Sequence, residues 1–512
     1  MMDTATPTLQ SSTTAANKTK SKTPKPKAAA PKSANTQDSP FIIITTGSAK
    51  IDPAARKQIR SHVMRGKNRK RTDPQQRNAT LGSWINDCQA ITSPSPALVK
   101  TTTPSMQSIP SRVGTDISHI RLVDGVDPYR AKLVFTWFTA LKTSMYPVET
   151  IVQPPMDQWL EYLAHDRAYL ECVLSAAQAF LDWAHERKIG KLTIQHLNSA
   201  MNNLRQTLAE CPQTPTDSTM AVVVTLSMMA DMLQDYDAAR KHIEGLYQLI
   251  KMRGGIRALQ YNPQLQIKVL RADLGHAIST GSKPLFFSDG FSWGPYLATP
   301  SKAPESSSAS KRRILTILKS SAEVPDQRLI NVYLDLHEFS LATNLAYQTG
   351  NKIAFEPFLE TLVSAQYRLL ALQNEHADSD DTSITAMLIL GMITFTTTTF
   401  LQIRNLPMRY THLTRRLKQR LAAFSELDAD GNENEALTRY RLWFVFLAAI
   451  SVVTDPEDED LLVGAARLVL ARQAGMAEAP TWNDVRDVLR EHMWVDWLHS
   501  AFGKTFYGKV LG

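Results

Sequence analysis

Apolar side chains recur at three-and-four spacing from about Pro128 to the C-terminus and almost nowhere before it. Segments 129–142 and 156–187 are rich in Leu, Phe, Trp and Ala on this period, which predicts amphipathic helices. Over 193–210 the residues Ile194, Leu197, Met201, Leu204 and Leu208 fall on one helical stripe. Segment 220–234 is almost entirely apolar and reads as a central helix. Segment 237–252 follows, and Arg253-Gly254-Gly255 supplies residues suited to end it. Another amphipathic segment covers 264–280. Residues 299–311 (TPSKAPESSSASK) interrupt the pattern and read as a surface loop. Helical periodicity resumes over 325–349, 354–376, 384–404, 407–427, 434–453, 458–474 and 481–501. Strand alternation is nearly absent and no repeat of fixed period occurs, so the expectation is all-α, roughly a dozen helices and no solenoid.

The stretch 384–403 (ITAMLILGMITFTTTTFLQI) is long and uncharged enough to resemble a membrane span. Its Thr-rich half is weakly apolar and charges flank it at Asp380, Asp381 and Arg404. A helix buried in a protein core is the better reading, with no membrane partner.

The first 127 residues differ in kind. Residues 1–40 are Thr, Ser, Lys, Ala and Pro, cannot bury enough surface to offset ordering entropy, and are expected to be a disordered tail. Residues 41–71 join an apolar island, Phe41-Ile-Ile-Ile-Thr-Thr46, to a basic arm. Residues 72–127 read as a linker with one apolar anchor at Trp84-Ile85, ahead of a helical regulatory domain at 128–512. The arm, Arg56 to Arg71 (RKQIRSHVMRGKNRKR), holds Arg56, Lys57, Arg60, Arg65, Lys67, Arg69, Lys70 and Arg71 and no acid. Residues 1–80 carry 16 Lys/Arg against 4 Asp/Glu, a net of +12, whereas the whole chain is +8. Residues 81–512 therefore sum to −4, so the positive charge is concentrated at one end. Such a patch attracts polyanions by neutralising phosphates and releasing counterions, which gives affinity without base specificity. Lys67-Asn-Arg-Lys-Arg71 is also a compact cluster of the kind that import receptors read. No aromatic residue interleaves the arm, which disfavours stacking on single strands.

Candidate chemistry is sparse. Cys88, Cys172 and Cys211 are too few and too scattered for a disulfide framework, a Cys2His2 finger or a six-cysteine binuclear zinc cluster, and core packing is expected for Cys172 and Cys211. Glu426–Glu435 (ELDADGNENE) fails as a calcium loop, because Leu437 stands where a bidentate Glu is required. His165, His185 and His196 form no HExxH pair, and no Gly-x-Ser-x-Gly or phosphate loop occurs. The reading is therefore of no catalytic site, no metal and no cofactor.

The segments Phe41-Ile-Ile-Ile-Thr and Ile59-Arg-Ser-His-Val-Met-Arg65 resemble an N-terminal signature of filamentous-fungal regulators that lack a zinc cluster. His242-Ile-Glu-Gly-Leu-Tyr-Gln-Leu-Ile-Lys-Met-Arg-Gly-Gly-Ile256, with Asp273 downstream, resembles the central helices of the fungal-specific transcription factor domain. Trp482-Asn-Asp-Val-Arg-Asp-Val-Leu489 and Trp494-Val-Asp-Trp497 resemble its C-terminal end. The resemblance implies a nuclear regulator that controls metabolic or secondary-metabolite genes. It also implies partners: DNA, contacted directly or through a partner factor, a nuclear import receptor and other transcription proteins. The alternative is a helical scaffold or adaptor without DNA contact.

Overall fold

A computed structural model describes residues 122–141 and 157–512, apart from position 126 and short stretches at 187, 211–214, 288–291, 299–303, 321–323, 377–382, 404–407, 425–433 and 474–479. The expectations for the tail, the basic arm and most of the linker, and for Cys88 and Cys211, lie outside these residues. The described residues fall in one unit, Ile85–Gly512.

They form sixteen α-helices and no strand, so the chain is all-α over this range. In order these are α1 Pro128–Thr136, α2 Asp157–His165, α3 Arg167–Glu186, α4 Lys191–Glu210, α5 Asp217–Met232, α6 Tyr236–Met252 and α7 Pro263–Thr280. There follow α8 Pro304–Leu318, α9 Gln327–Thr349, α10 Phe355–Glu375, α11 Ile384–Thr396, α12 Thr411–Ala422 and α13 Glu435–Ile450. The chain ends with α14 Glu459–Ala471, α15 Trp482–Arg490 and α16 Asp496–Leu511. Local sequence sets many of the starts. Asp127, Thr216, Asp235, Asn262, Asp326, Ser383 and Asn434 each accept a backbone N–H of the first turn, and Thr481 with Asp484 forms a capping box.

Three expectations change. Residues 304–311 belong to α8 and not to a loop. Pro304 stands at a helix start, where its missing N–H is harmless, and Ile314, Ile317 and Leu318 downstream are buried. The expected single segment 156–187 is two helices, α2 and α3, because the Asp166 carboxylate accepts the Tyr169 N–H at 2.9 Å and caps a new start. The 481–501 segment divides into α15 and α16, and α16 continues to Leu511. Within α4 the buried face holds Thr193, Ala200 and Leu204, while Ile194 of the expected stripe faces solvent.

One continuous core is built around two central helices. Helix α5, buried over most of its length, lies against α3, α6 and α7. Helix α11 with its terminal π turn Thr397–Leu401 lies against α8, α9, α10, α12 and α13. Helix α7 touches both sets, packing on α5 and on α10 and α12. The span-like stretch Ile384–Leu401 has mean hydropathy 1.8 and is 89% buried, so other helices occupy the surface that lipid would need. The threonines from Thr394 to Thr399 tolerate a dry core because their hydroxyls bond back along their own helix. Thr394 donates to Leu390 O at 2.8 Å, Thr397 to Ile393 O at 2.8 Å and Thr399 to Phe395 O at 3.0 Å.

Helices α11 and α13 approach closely at Gly391. A Cβ there would stand 2.5 Å from the Tyr440 hydroxyl and 2.7 Å from the Trp443 ring, both fully buried. Gly391→Ala is expected to destabilise by about 1–3 kcal/mol through overpacking, read from the urea midpoint at unchanged m-value.

Candidate functional site

The sequence-derived site, Arg56 to Arg71, lies outside the described residues. Inside the helical unit, polar chemistry gathers at the segments that carried the family resemblance. Helix α6 is amphipathic and ends at Arg253. Gly254 and Gly255 take φ of 99° and 91°, which glycine alone adopts without strain, and Gly255 N–H returns to Ile250 O at 2.9 Å. This reversal brings the Arg253 guanidinium onto Asp217, the first residue of α5, at 3.1 Å, and onto Pro215 O at 2.8 Å. Asp217 also receives the Tyr261 hydroxyl and, at 2.9 Å, the Asn262 amide. Burial, followed by the Asp217 charge, pushes the nearby Tyr162 phenol up to about 12. Arg253 is thus committed to ending one helix and tying it to another, as the expected helix termination requires. Asp217→Ala removes the acceptor of three donors at once, and a loss of about 1–3 kcal/mol is expected in thermal unfolding.

Asp273 on α7 is the second such point. Its carboxylate accepts the backbone N–H groups of Leu285 at 2.8 Å and Phe286 at 3.0 Å and the Tyr367 hydroxyl at 2.8 Å. Burial raises its pKa, and those same hydrogen bonds oppose the rise. One buried carboxylate therefore pins the chain leaving α7 onto α10. The third is the pair Asp335 (α9) and Arg368 (α10), at 3.1 Å with both side chains almost wholly enclosed. Asp335 also accepts the N–H groups of Tyr296, Leu297 and Ala298 at 2.8–3.1 Å.

The three histidines noted in the sequence do not share a site. His165 is exposed, His185 Nδ1 lies 2.8 Å from Leu181 O on its own helix, and His196 Nδ1 lies 2.7 Å from Glu171. Cys172 is buried, and burial lifts its thiol to about 12, which suits packing and not nucleophilic attack. Ser310 Oγ and His337 Nδ1 are 3.0 Å apart, a spacing seen in acyl transfer. Ser310 is 1% exposed, and burial followed by the Arg313 charge lowers the His337 pKa to about 4, so this pair is sealed and a poor base at neutral pH. No group of three metal-ligating side chains occurs among the described residues. An open depression of about 540 Å³ lies beside Asp124, Asp127, Arg130 and Arg167, and a cleft of about 50 Å³ beneath Arg416 and Arg420 holds little more than water. Sequence reading missed Asp335, Arg368, His337 and Ser310, which carry no local motif.

No curated protein and no solved structure matches the chain. Residues 137–289, which contain the glycine reversal after α6 and the Asp273 anchor, match the model described as the fungal specific transcription factor domain, and over that stretch the chain is similar to that family.

Proposed function

We propose that this protein is a nuclear transcription regulator whose helical unit binds partners or a small ligand and whose basic arm serves import and phosphate contact. The observation that carries the reading is the match of residues 137–289 to the fungal specific transcription factor domain. Two features support it. The net positive charge lies at the N-terminal end of the chain, where Arg56, Lys57, Arg60, Arg65, Lys67, Arg69, Lys70 and Arg71 fall within sixteen residues. The polar groups of the helical unit at Asp217, Asp273 and Asp335 are spent on holding helices and loops together, as a regulatory scaffold needs. With three cysteines the chain cannot build a binuclear zinc cluster, so base recognition comes from the arm's surroundings or from a partner factor. The genes controlled are proposed to be metabolic or secondary-metabolite genes.

The test is chromatin occupancy of the tagged full chain in its native host, beside a version with the eight basic residues changed to Gln. Discrete promoter peaks that vanish in the variant support the reading. Absence of peaks for a well-expressed wild type overturns it in favour of a scaffold without DNA contact.

A further inference from the structure

Two imidazoles are sealed where α8, α9, α13 and the end of α15 meet. His492, which follows α15, is fully buried, and His337 on α9 is 5% exposed. His492 Nδ1 lies 3.0 Å from the Tyr333 hydroxyl of α9. Its Nε2 has no hydrogen-bond partner, and its ring stands perpendicular to Tyr440 of α13 at 5.1 Å. His337 Nδ1 faces Ser310 of α8 at 3.0 Å, and its ring stacks on Tyr333 at 6.3 Å.

Two guanidiniums and two carboxylates surround this pair. Arg313 of α8 and Arg439 of α13 both face it. The Glu491 carboxylate serves both guanidiniums, Arg313 at 3.6 Å and Arg439 in a closer contact. Glu435 also pairs with Arg439, at 2.7 Å, on the solvent side of α13. No carboxylate raises the pKa of either imidazole, and only a hydrogen bond with the Glu491 backbone opposes the fall at His337. A proton on either buried ring therefore arrives beside two guanidiniums, which are themselves paired with carboxylates and 25% and 28% exposed.

The chain directly after His492 is a strap. Trp443 Nε1 of α13 donates to Met493 O at 2.7 Å, and Asn344 of α9 donates to Trp494 O at 2.7 Å. Asp496 N–H then donates to the Asn344 side chain at 2.9 Å and opens α16. Of the two tryptophan motifs that the sequence singled out, the one at Trp482 precedes this strap and the one at Trp494 overlaps it. His499 is a further imidazole here, its Nδ1 accepting the Val495 N–H at 3.1 Å and its Nε2 lying 3.1 Å from Thr398.

We propose that His337 and His492 form an acid-sensitive latch, whose protonation frees the strap 491–496, and with it the start of α16, from α9 and α13. The direction follows from linkage. A released imidazole titrates near 6.5. In the closed state burial first, and Arg313 next, hold His337 at about 4 and His492 well below its usual value. The open state thus binds protons first. The closed state has its full advantage above about pH 6.5 and loses it as pH falls from there toward 4. Each imidazole changes the opening equilibrium about tenfold per pH unit in that window.

The latch is independent of the proposed role in transcription, and its test involves no DNA. Hydrogen exchange of the full chain is followed by mass spectrometry at pH 7.5 and 5.5, with rates corrected for the intrinsic pH dependence of exchange. Peptides from 482–511 are expected to open about 10- to 100-fold more in acid, while peptides from α5 stay unchanged. In His337→Gln/His492→Gln the acceleration is expected to vanish. An equal acceleration in that variant assigns the effect to His499 or another group and overturns the proposal, as does a wild type with no acceleration. If the double variant does not fold, the single variants serve instead: His337→Gln and His492→Gln are each expected to cut the acceleration about tenfold, and an acceleration unchanged in both overturns the latch.

Discussion

Asp335→Asn is expected to cost about 3–5 kcal/mol of stability, more than Arg368→Met at the other end of the same pair. Both side chains are out of water, so removing one charge strands the other. The two are not equivalent. Without Arg368, the Asp335 carboxylate keeps the backbone N–H groups of Tyr296, Leu297 and Ala298. Without the Asp335 charge, Arg368 keeps only neutral carbonyls, those of Ser364 at 3.3 Å and Gly294 at 3.4 Å. The asparagine also turns an amide N–H₂ toward donors, which leaves at least one of them unpaired. Urea unfolding of both single variants and the double variant gives the coupling energy. A double variant no worse than Asp335→Asn alone is the expected pattern. Equal costs for the two single variants would show that the backbone donors do not stabilise the carboxylate.

Legibility in the sequence followed the range of the interaction. Helices α5, α6 and α11 were readable because apolar periodicity is local, and the end of α6 because a Gly-Gly reversal is local. The burial of α11 was readable from its flanking charges and weakly apolar threonines, although its length alone suits a membrane. Helix α8 was hidden because Pro304-Glu-Ser-Ser-Ser is loop-like in composition, while its apolar anchors come only in its last two turns. The break at Asp166 was hidden because a capping aspartate inside a periodic run leaves the period almost intact. The buried polar pairs were beyond reach in principle. Asp335 and Arg368 are 33 residues apart, Asp273 and Tyr367 are 94, and Tyr333 and His492 are 159. No pattern of composition or spacing marks a partner at such separations. The family resemblance was readable in the middle of the chain, where the match covers 137–289; the segments at 41–65 and 482–497 lie beyond it.

Changing Arg56, Lys57, Arg60, Arg65, Lys67, Arg69, Lys70 and Arg71 to Gln is expected to remove most of the chain's affinity for duplex DNA, with the helical unit's stability unchanged. The change takes eight positive charges from an N-terminal region of net +12, whose remaining counterpart, residues 81–512, is net negative. Each phosphate neutralised contributes roughly 0.9 to the slope of log affinity against log salt, so a fully engaged arm gives a slope of about −7. Affinity of the intact chain is then expected to fall by about 10⁴-fold between 50 and 200 mM salt. The Gln variant is expected to bind weakly at every salt concentration and to show a slope near zero. A fluorescence-anisotropy titration on unrelated duplexes measures both quantities. Because phosphate contacts carry no sequence information, the loss is expected to be uniform across duplexes. A loss confined to one sequence would place base recognition within the arm itself. An unchanged slope in the variant would remove the arm from DNA contact, leave import as its remaining role, and place the phosphate contacts elsewhere in the chain.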